Sequence, residues 1–224
     1  SAVFSSNAYI NSVTPVFKDY NLSYSLCDLN NDNGIDVLFT SRYNELYPRT
    51  LYFQKSGTNL YQTTISIADL MRGSSEAADL DNDGRQDIII CGTGNDNIPH
   101  TYIYRNTTSG FILISDKLRA VSGHIVTADY DNDHDIDILL TGKDRYGNYN
   151  VSLYRNDNNW KFTEIFTDLY KKIDIYSPKP QFADFNDDGR LDILCGKVYR
   201  NDGNNVFTEM AFQSAYNPLN SLRM

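Results

Sequence analysis

The stretch ADLDNDGRQDIIICG at residues 78–92 packs four aspartates, Asp79, Asp81, Asp83 and Asp87, into nine residues, with Gly84 sixth among them. A run of apolar, mostly β-branched residues follows at once. The pattern returns as CDLNNDNGIDVLFT at 27–40, ADYDNDHDIDILLTG at 128–142 and ADFNDDGRLDILCG at 183–196. The leading aspartates, Asp28, Asp79, Asp129 and Asp184, lie 51, 50 and 55 residues apart. Self-similarity at such a period marks a chain built from repeated supersecondary units.

Two further motifs keep the same period. One reads LYFQK at 51–55, YIYRN at 102–106, SLYRN at 152–156 and KVYRN at 197–201. The other reads NLYQTTI at 59–65, GFILI at 110–114, WKFTEIF at 160–166 and NVFTEM at 205–210. Each unit therefore holds an apolar strand before the loop, a β-branched strand after it, an aromatic strand ending in Arg-Asn and an amphipathic fourth strand. Short strands joined by Asn/Gly/Asp turns predict an all-β chain. Four strands per repeat is the pattern of a β-propeller blade. The expected division is an N-terminal strand or linker at 1–19, blades at 20–70, 71–120 and 121–175, and a fourth blade with a C-terminal linker at 176–224. Helix is confined to single turns at Ser66–Arg72 and Thr167–Lys172. Val3–Phe4 resembles Val206–Phe207, so the N-terminus reads as a spare outer strand that pairs with another blade or another chain. Ala211–Met224 reads as an inter-blade linker.

The loops have the composition of a hard-cation site. Calcium takes six to eight oxygen ligands, and the template D-x-[DN]-x-[DN]-G-x-x-D supplies side chains at positions 1, 3, 5 and 9 and a main-chain carbonyl at position 7. Glycine at position 6 permits the sharp turn. The second loop offers Asp79, Asp81, Asp83, the Arg85 carbonyl and Asp87. The fourth offers Asp184, Asn186, Asp188, the Arg190 carbonyl and Asp192. The first has Asp28, Asn30, Asp32, the Gly34 carbonyl and Asp36, with Asn33 in the glycine position. The third has Asp129, Asp131, Asp133, Asp135 at position 7 and Asp137, with His134 in the glycine position. By this template the second and fourth loops fit best and the third has the weakest turn, though it carries the most negative charge. An EF-hand is excluded, because its position-12 glutamate is replaced by Phe39, Ile90, Leu140 and Cys195, all within strands. Fourteen of the 29 acidic residues fall at ligand positions, so up to four calcium ions would bring the formal charge from −9 to about −1.

Net acidity argues against nucleic acid and anionic membranes as partners. No apolar run approaches the length of a membrane span. Three cysteines, Cys27, Cys91 and Cys195, rule out full intrachain pairing and suit buried thiols. Sequons at Asn21, Asn106 and Asn150 mark glycosylation candidates and suit a secreted chain. His100, His124 and His134 are scattered, so no zinc cluster or nucleophile–base pair can be assembled, and the chain is expected not to be an enzyme. His134 reads as a turn residue. His124 precedes an inner strand, where the favoured role is structural and the alternative is to face the propeller axis. Tyr52, Tyr104, Tyr154 and Tyr199 read as one repeated position packed between blades; the alternative is a lectin that stacks sugars on them.

The Asp loops and the strands that follow them resemble the FG-GAP/VCBS repeat, the unit of the integrin α-subunit propeller and of related fungal lectins and bacterial surface proteins. The resemblance spans about residues 20–210. The literal Phe-Gly and Gly-Ala-Pro pieces are not evident. The resemblance implies that each loop joins the first two strands of a blade and holds one calcium. It also implies an extracellular or cell-surface module for adhesion or structural assembly. Its partners would be proteins or glycans. The spare N-terminal strand adds a separate expectation, that copies of the chain assemble head to tail into a ring or filament through it.

Overall fold

The isoleucine run after the second loop becomes the strand Asp87–Thr93, buried along its whole length. A strand buried on both sides must be sandwiched between other layers, and its neighbours show how. In the computed structural model, which describes residues 22–43, 47–115, 118–165 and 179–211, every strand belongs to one of four antiparallel sheets. The first sheet is β1 (Ser23–Cys27), β2 (Asp36–Tyr43), β3 (Tyr47–Ser56) and β4 (Asn59–Thr63). The second is β5 (Met71–Ala78), β6 (Asp87–Thr93), β7 (Pro99–Thr107) and β8 (Gly110–Ser115). The third is β9 (Ser122–Ala128), β10 (Asp137–Lys143), β11 (Tyr149–Asn156) and β12 (Phe162–Ile165), and the fourth β13 (Gln181–Ala183), β14 (Asp192–Leu194), β15 (Val198–Asn201) and β16 (Phe207–Glu209). Each sheet runs in chain order, first strand to fourth.

The sheets stack face to face in sequence, a propeller-like arrangement. Strand β5 packs beside β1 and β9, and β13 beside β9, so the first strands of the four sheets lie together. Alternate residues of one strand serve opposite neighbours. Ile88 and Ile90 join Leu29, Leu38, Tyr52 and Leu70 in the core between sheets one and two. Ile89 and Cys91 turn the other way, to Ile125, Ile138, Leu140 and Tyr154 of sheet three. Leu139 and Leu153 then meet Ile193, Cys195 and Tyr199 of sheet four. This period of two, with both faces covered, is why the strand after each loop is apolar without alternation.

Three expectations need correction. Ser66–Arg72 forms no helical turn: Ile67 is a bend, and Met71 and Arg72 open β5. Thr167–Lys172 and the N-terminal strand lie outside the described residues. In the second sheet the strand before the loop is small and polar rather than apolar; β5 is MRGSSEAA, and it lies close enough to β1 for Ser25 and Ser75 to bond through their hydroxyls (3.0 Å). Tyr52 is also out of register with the other tyrosines. Tyr104, Tyr154 and Tyr199 pair across from Ile88, Ile138 and Ile193, whereas the residue opposite Val37 is Phe53. Tyr52 instead faces sheet two, and its hydroxyl donates to Asp36.

The Arg-Asn ending of the third strand proves to be a latch. Asn156 Nδ2 donates to Leu80 O (2.9 Å) in the preceding blade's loop and to Ile136 O (3.2 Å) in its own. Asn106 bonds Leu29 O and Gln86 O in the same way, and Asn201 bonds Tyr130 O and Leu191 O. All three side chains are buried. Removing a buried amide that satisfies two carbonyls costs about 1–3 kcal/mol. Asn156→Ala is expected to lower the free energy of chemical unfolding by that amount; an unchanged value would show that packing alone joins the blades.

Candidate metal centres

Each Asp loop joins the first and second strands of its sheet, at 28–35, 79–86, 129–136 and 184–191. The turn is built by its own side chains. Asp79 accepts from the main-chain N–H groups of Asp83 (3.0 Å) and Gly84 (2.8 Å). Asp28, Asp129 and Asp184 do the same for the fifth and sixth residues of their loops. The fifth position closes the turn: Asp32, Asp83, Asp133 and Asp188 each accept from the N–H two residues on. Position 6 is left-handed in all four loops, with φ of 63° at Asn33, 84° at Gly84, 73° at His134 and 82° at Gly189. Glycine is therefore convenient there but not required, and His134 is the turn residue expected.

The ninth position lies deepest. Asp36, Asp87, Asp137 and Asp192 are all fully buried. Asp87 Oδ1 accepts from Asn106 N (2.8 Å) and Oδ2 from Leu80 N (2.9 Å). Asp137 is held by Asn156 N and Tyr130 N, and Asp192 by Asn201 N and Phe185 N. In the first blade Lys55 N replaces the asparagine and Tyr52 supplies the second donor. Burial raises the pKa of two of these groups, to about 6 for Asp87 and about 7 for Asp137, against the pull of their backbone donors.

Two carboxylate trios converge, Asp79–Asp81–Asp87 and Asp129–Asp131–Asp137, each with one oxygen per residue within 4.8 Å of the others. Asp81 and Asp131 are pushed upward too, by burial first and then by the fifth-position Asp83 or Asp133. Crowded carboxylates that resist ionisation suit a cation. Arg105 Nη2 meets the Oδ2 atoms of Asp81 (2.8 Å) and Asp83 (3.1 Å), while Asp81 Oδ1 is buried with no hydrogen-bond partner. An all-oxygen set with an orphaned lone pair fits calcium. In loops one and four Asn30 and Asn186 stand at position 3, and their amides bond Asp32 and Asp188. The third gathers carboxylates as closely as the second, because position 3 decides this and not the turn residue.

Two sequence candidates take other roles. The Asp135 carboxylate is buried and accepts from Asn82 Nδ2 (2.7 Å) and Asn158 Nδ2 (2.6 Å), so it braces neighbouring loops, leaving the main-chain carbonyl as the ligand position 7 offers. Asn106 is 4% exposed and its amide nitrogen, where a glycan would attach, is the latch donor. Its sequon is therefore sealed in the folded chain. Asn150 is half-buried, and Asn21 lies outside the described residues. Missed in the sequence was position 4, where Asn31, Asn82, Asn132 and Asp187 are also left-handed, with φ of 57°, 58°, 64° and 58°. Asn31 reaches Gly84 O and Asn132 reaches Gly189 O in the next loop. The recurrence of Asn-Asp at positions 4–5 was the available signal.

With this geometry in view, the family described as FG-GAP-like repeat matches the chain three times, at residues 28–90, 79–140 and 129–195. Each match runs from one Asp loop through the next. Among curated proteins none matches the chain.

The raised groups fix a pH dependence for the metal-free chain. A carboxyl whose folded pKa lies above its unfolded one contributes stability that is full below the ordinary aspartate range and is lost as pH rises through about 6 for Asp87 and about 7 for Asp137. In chelator, melting temperature is expected to fall between pH 4.5 and 7.5. Saturating calcium should flatten or invert the trend, since it binds the ionised form. A chelated melt that rises over that range would contradict the assignment.

Proposed function

Because the chain belongs to the FG-GAP-like repeat family, we propose that it is a non-catalytic, calcium-stabilised β-propeller module working in adhesion or structural assembly outside the cell or at its surface. The observation that carries the calcium reading is the pair of carboxylate trios with the orphaned Asp81 Oδ1. Asp79, Asp81 and Asp87, and Asp129, Asp131 and Asp137, would be the principal ligands, with Asp83 and Asp133 beside them. Loops one and four would bind through Asp28, Asn30, Asp32 and Asp36 and through Asp184, Asn186, Asp188 and Asp192. Bound calcium would supply charge compensation and no chemistry. Among the described residues no helix is long and apolar enough to cross a membrane.

The four repeat tyrosines do not carry the lectin alternative, because Tyr52, Tyr104, Tyr154 and Tyr199 are all buried. Protein partners, including further copies of this chain, are favoured by an exposed apolar position. Leu29, Leu80 and Tyr130, second in their loops, are 5%, 1% and 1% exposed because the next blade covers them. Phe185, second in the fourth loop, is 44% exposed. A blade laid against sheet four would bury it as the other three are buried.

Calcium binding only to the folded state raises its stability by mass action, about 2.7 kcal/mol per site at a hundredfold excess over Kd. EDTA is therefore expected to lower the melting temperature by several degrees, with recovery on adding calcium; identical melts would defeat the calcium reading. For self-association, light scattering in calcium is expected to show species larger than the 25.6 kDa chain, which Phe185→Asp returns to monomer. A wild type that stays monomeric at high concentration would remove that part of the proposal.

A further inference from the structure

The first strands of all four sheets begin around one cavity of ≈ 550 Å³. Tyr24 comes from β1, Arg72 from β5, His124 from β9, and Lys179 lies just before β13. The aspartate loops follow the far ends of these same strands. Arg72 to Asp79 is seven residues of β5 and its end, or roughly 20 Å at the strand rise. The cavity is thus separate from every carboxylate trio, and its charged wall is mainly cationic.

The backbone here is built to present Arg72. The β5–β6 register shifts between Met71 and Ser74, and Arg72 sits in that irregularity with φ of 56°. A left-handed arginine is uncommon and strained, and bulges of this kind re-aim a side chain. The conformation is enforced from both sides. Ser122 Oγ holds the Arg72 carbonyl at 2.6 Å. The next residue, Gly73, lies so close to β6 that a Cβ would fall 1.9 Å from Cys91 O, and Gly123 repeats the arrangement at 2.0 Å from Thr141 O. The Arg72 guanidinium has no hydrogen-bond or ion-pair partner among the described residues.

The other groups complete a receptor for negative charge. Lys179 Nζ donates to Glu76 Oε1 (3.1 Å), which anchors the fourth blade's leading segment to β5 and leaves the ammonium half exposed at the cavity. Burial and the nearby Lys179 charge both hold His124 below the ordinary histidine range, so its neutral ring is a donor that does not repel Lys179. Leu22 and the 60%-exposed Tyr24 give the cavity an apolar side. A ligand filling this space would carry an anionic group at one end and hydrocarbon or a sugar-ring face at the other.

We propose that this axial cavity is a binding site for a small organic carboxylate, with Arg72 as its principal anion contact, Lys179 and His124 as supporting donors, and Tyr24 against the ligand body. A guanidinium pairs with a carboxylate through two parallel hydrogen bonds, a geometry that lysine does not reproduce.

The test uses the calcium-loaded full chain and three probes: D-glucuronate, the neutral D-glucose, and sulfate. Calorimetry is expected to show saturable glucuronate binding, with none for glucose. NMR should place the largest shift on the Arg72 side chain. Arg72→Gly removes the guanidinium and relieves the left-handed strain, so the variant should melt no lower than wild type while losing about tenfold or more in affinity. Arg72→Lys should recover only part of the loss. Absence of saturable glucuronate binding, full affinity in Arg72→Gly, or sulfate binding as tightly as glucuronate would each overturn the proposal.

Discussion

The structure depends on a carboxylate placed where water does not reach. Asp36, Asp87, Asp137 and Asp192 stand at the first position of their second strands with no exposed surface. A charge there is expensive unless its oxygens are fully engaged. Each is engaged by two donors, one from the third strand and one from the second loop residue, or from Tyr52 in the first blade. The aspartate therefore fixes the loop's entry and the height of the third strand together. In three blades the residue whose N–H it accepts is an asparagine, and that asparagine's amide bonds the loop of the blade before. One buried acid so couples the Asp loop, the sheet register and the inter-blade joint.

That coupling explains why the loops are alike despite unlike sequences. The first-position aspartate satisfies two N–H groups, the fifth another, and the left-handed positions 4 and 6 turn the chain between them. Glycine, asparagine and histidine all occupy position 6 at similar φ, because the side-chain oxygens and not the sixth residue impose the turn. What varies is carboxylate density. With aspartate at position 3 the trio is complete; with asparagine the amide spends its donor on the fifth-position aspartate. Loop geometry and charge are therefore separable, and affinities across the four loops can differ while the fold stays constant.

Much of this was legible because it repeats. The period, the four strands per unit and the placement of the Asp loops between first and second strands survive in the sequence as alternation and spacing, which local sterics enforce. Less was legible where a residue's role depends on the neighbouring blade. Asn106 satisfies a glycosylation pattern in sequence, yet in space its amide lies under Leu29. Tyr52 aligns by eye with three tyrosines, yet a one-residue offset in the strand sends it to the opposite face, and only pairing with Leu38 reveals it. The innermost strands, with Ser74, Ser75 and Gly123, look like weak strands because their side chains must be small to let four sheets approach.

The same crowding divides the molecule into two chemically opposed ends. At one end of the innermost strands the chain gathers aspartates crowded enough to suit a cation. At the other, the glycines that allow close approach remove side chains, and the space left is faced by Arg72, His124 and Lys179. Opposite charge at opposite ends of a strand some 20 Å long means that calcium and an anionic ligand would not compete, since the separation exceeds the screening length at physiological salt. It also means that an anion in the axial cavity could not be there by bridging to bound calcium. The cationic end has its own cause in the β5 bulge, which holds Arg72 in a left-handed conformation that Gly would adopt with less strain.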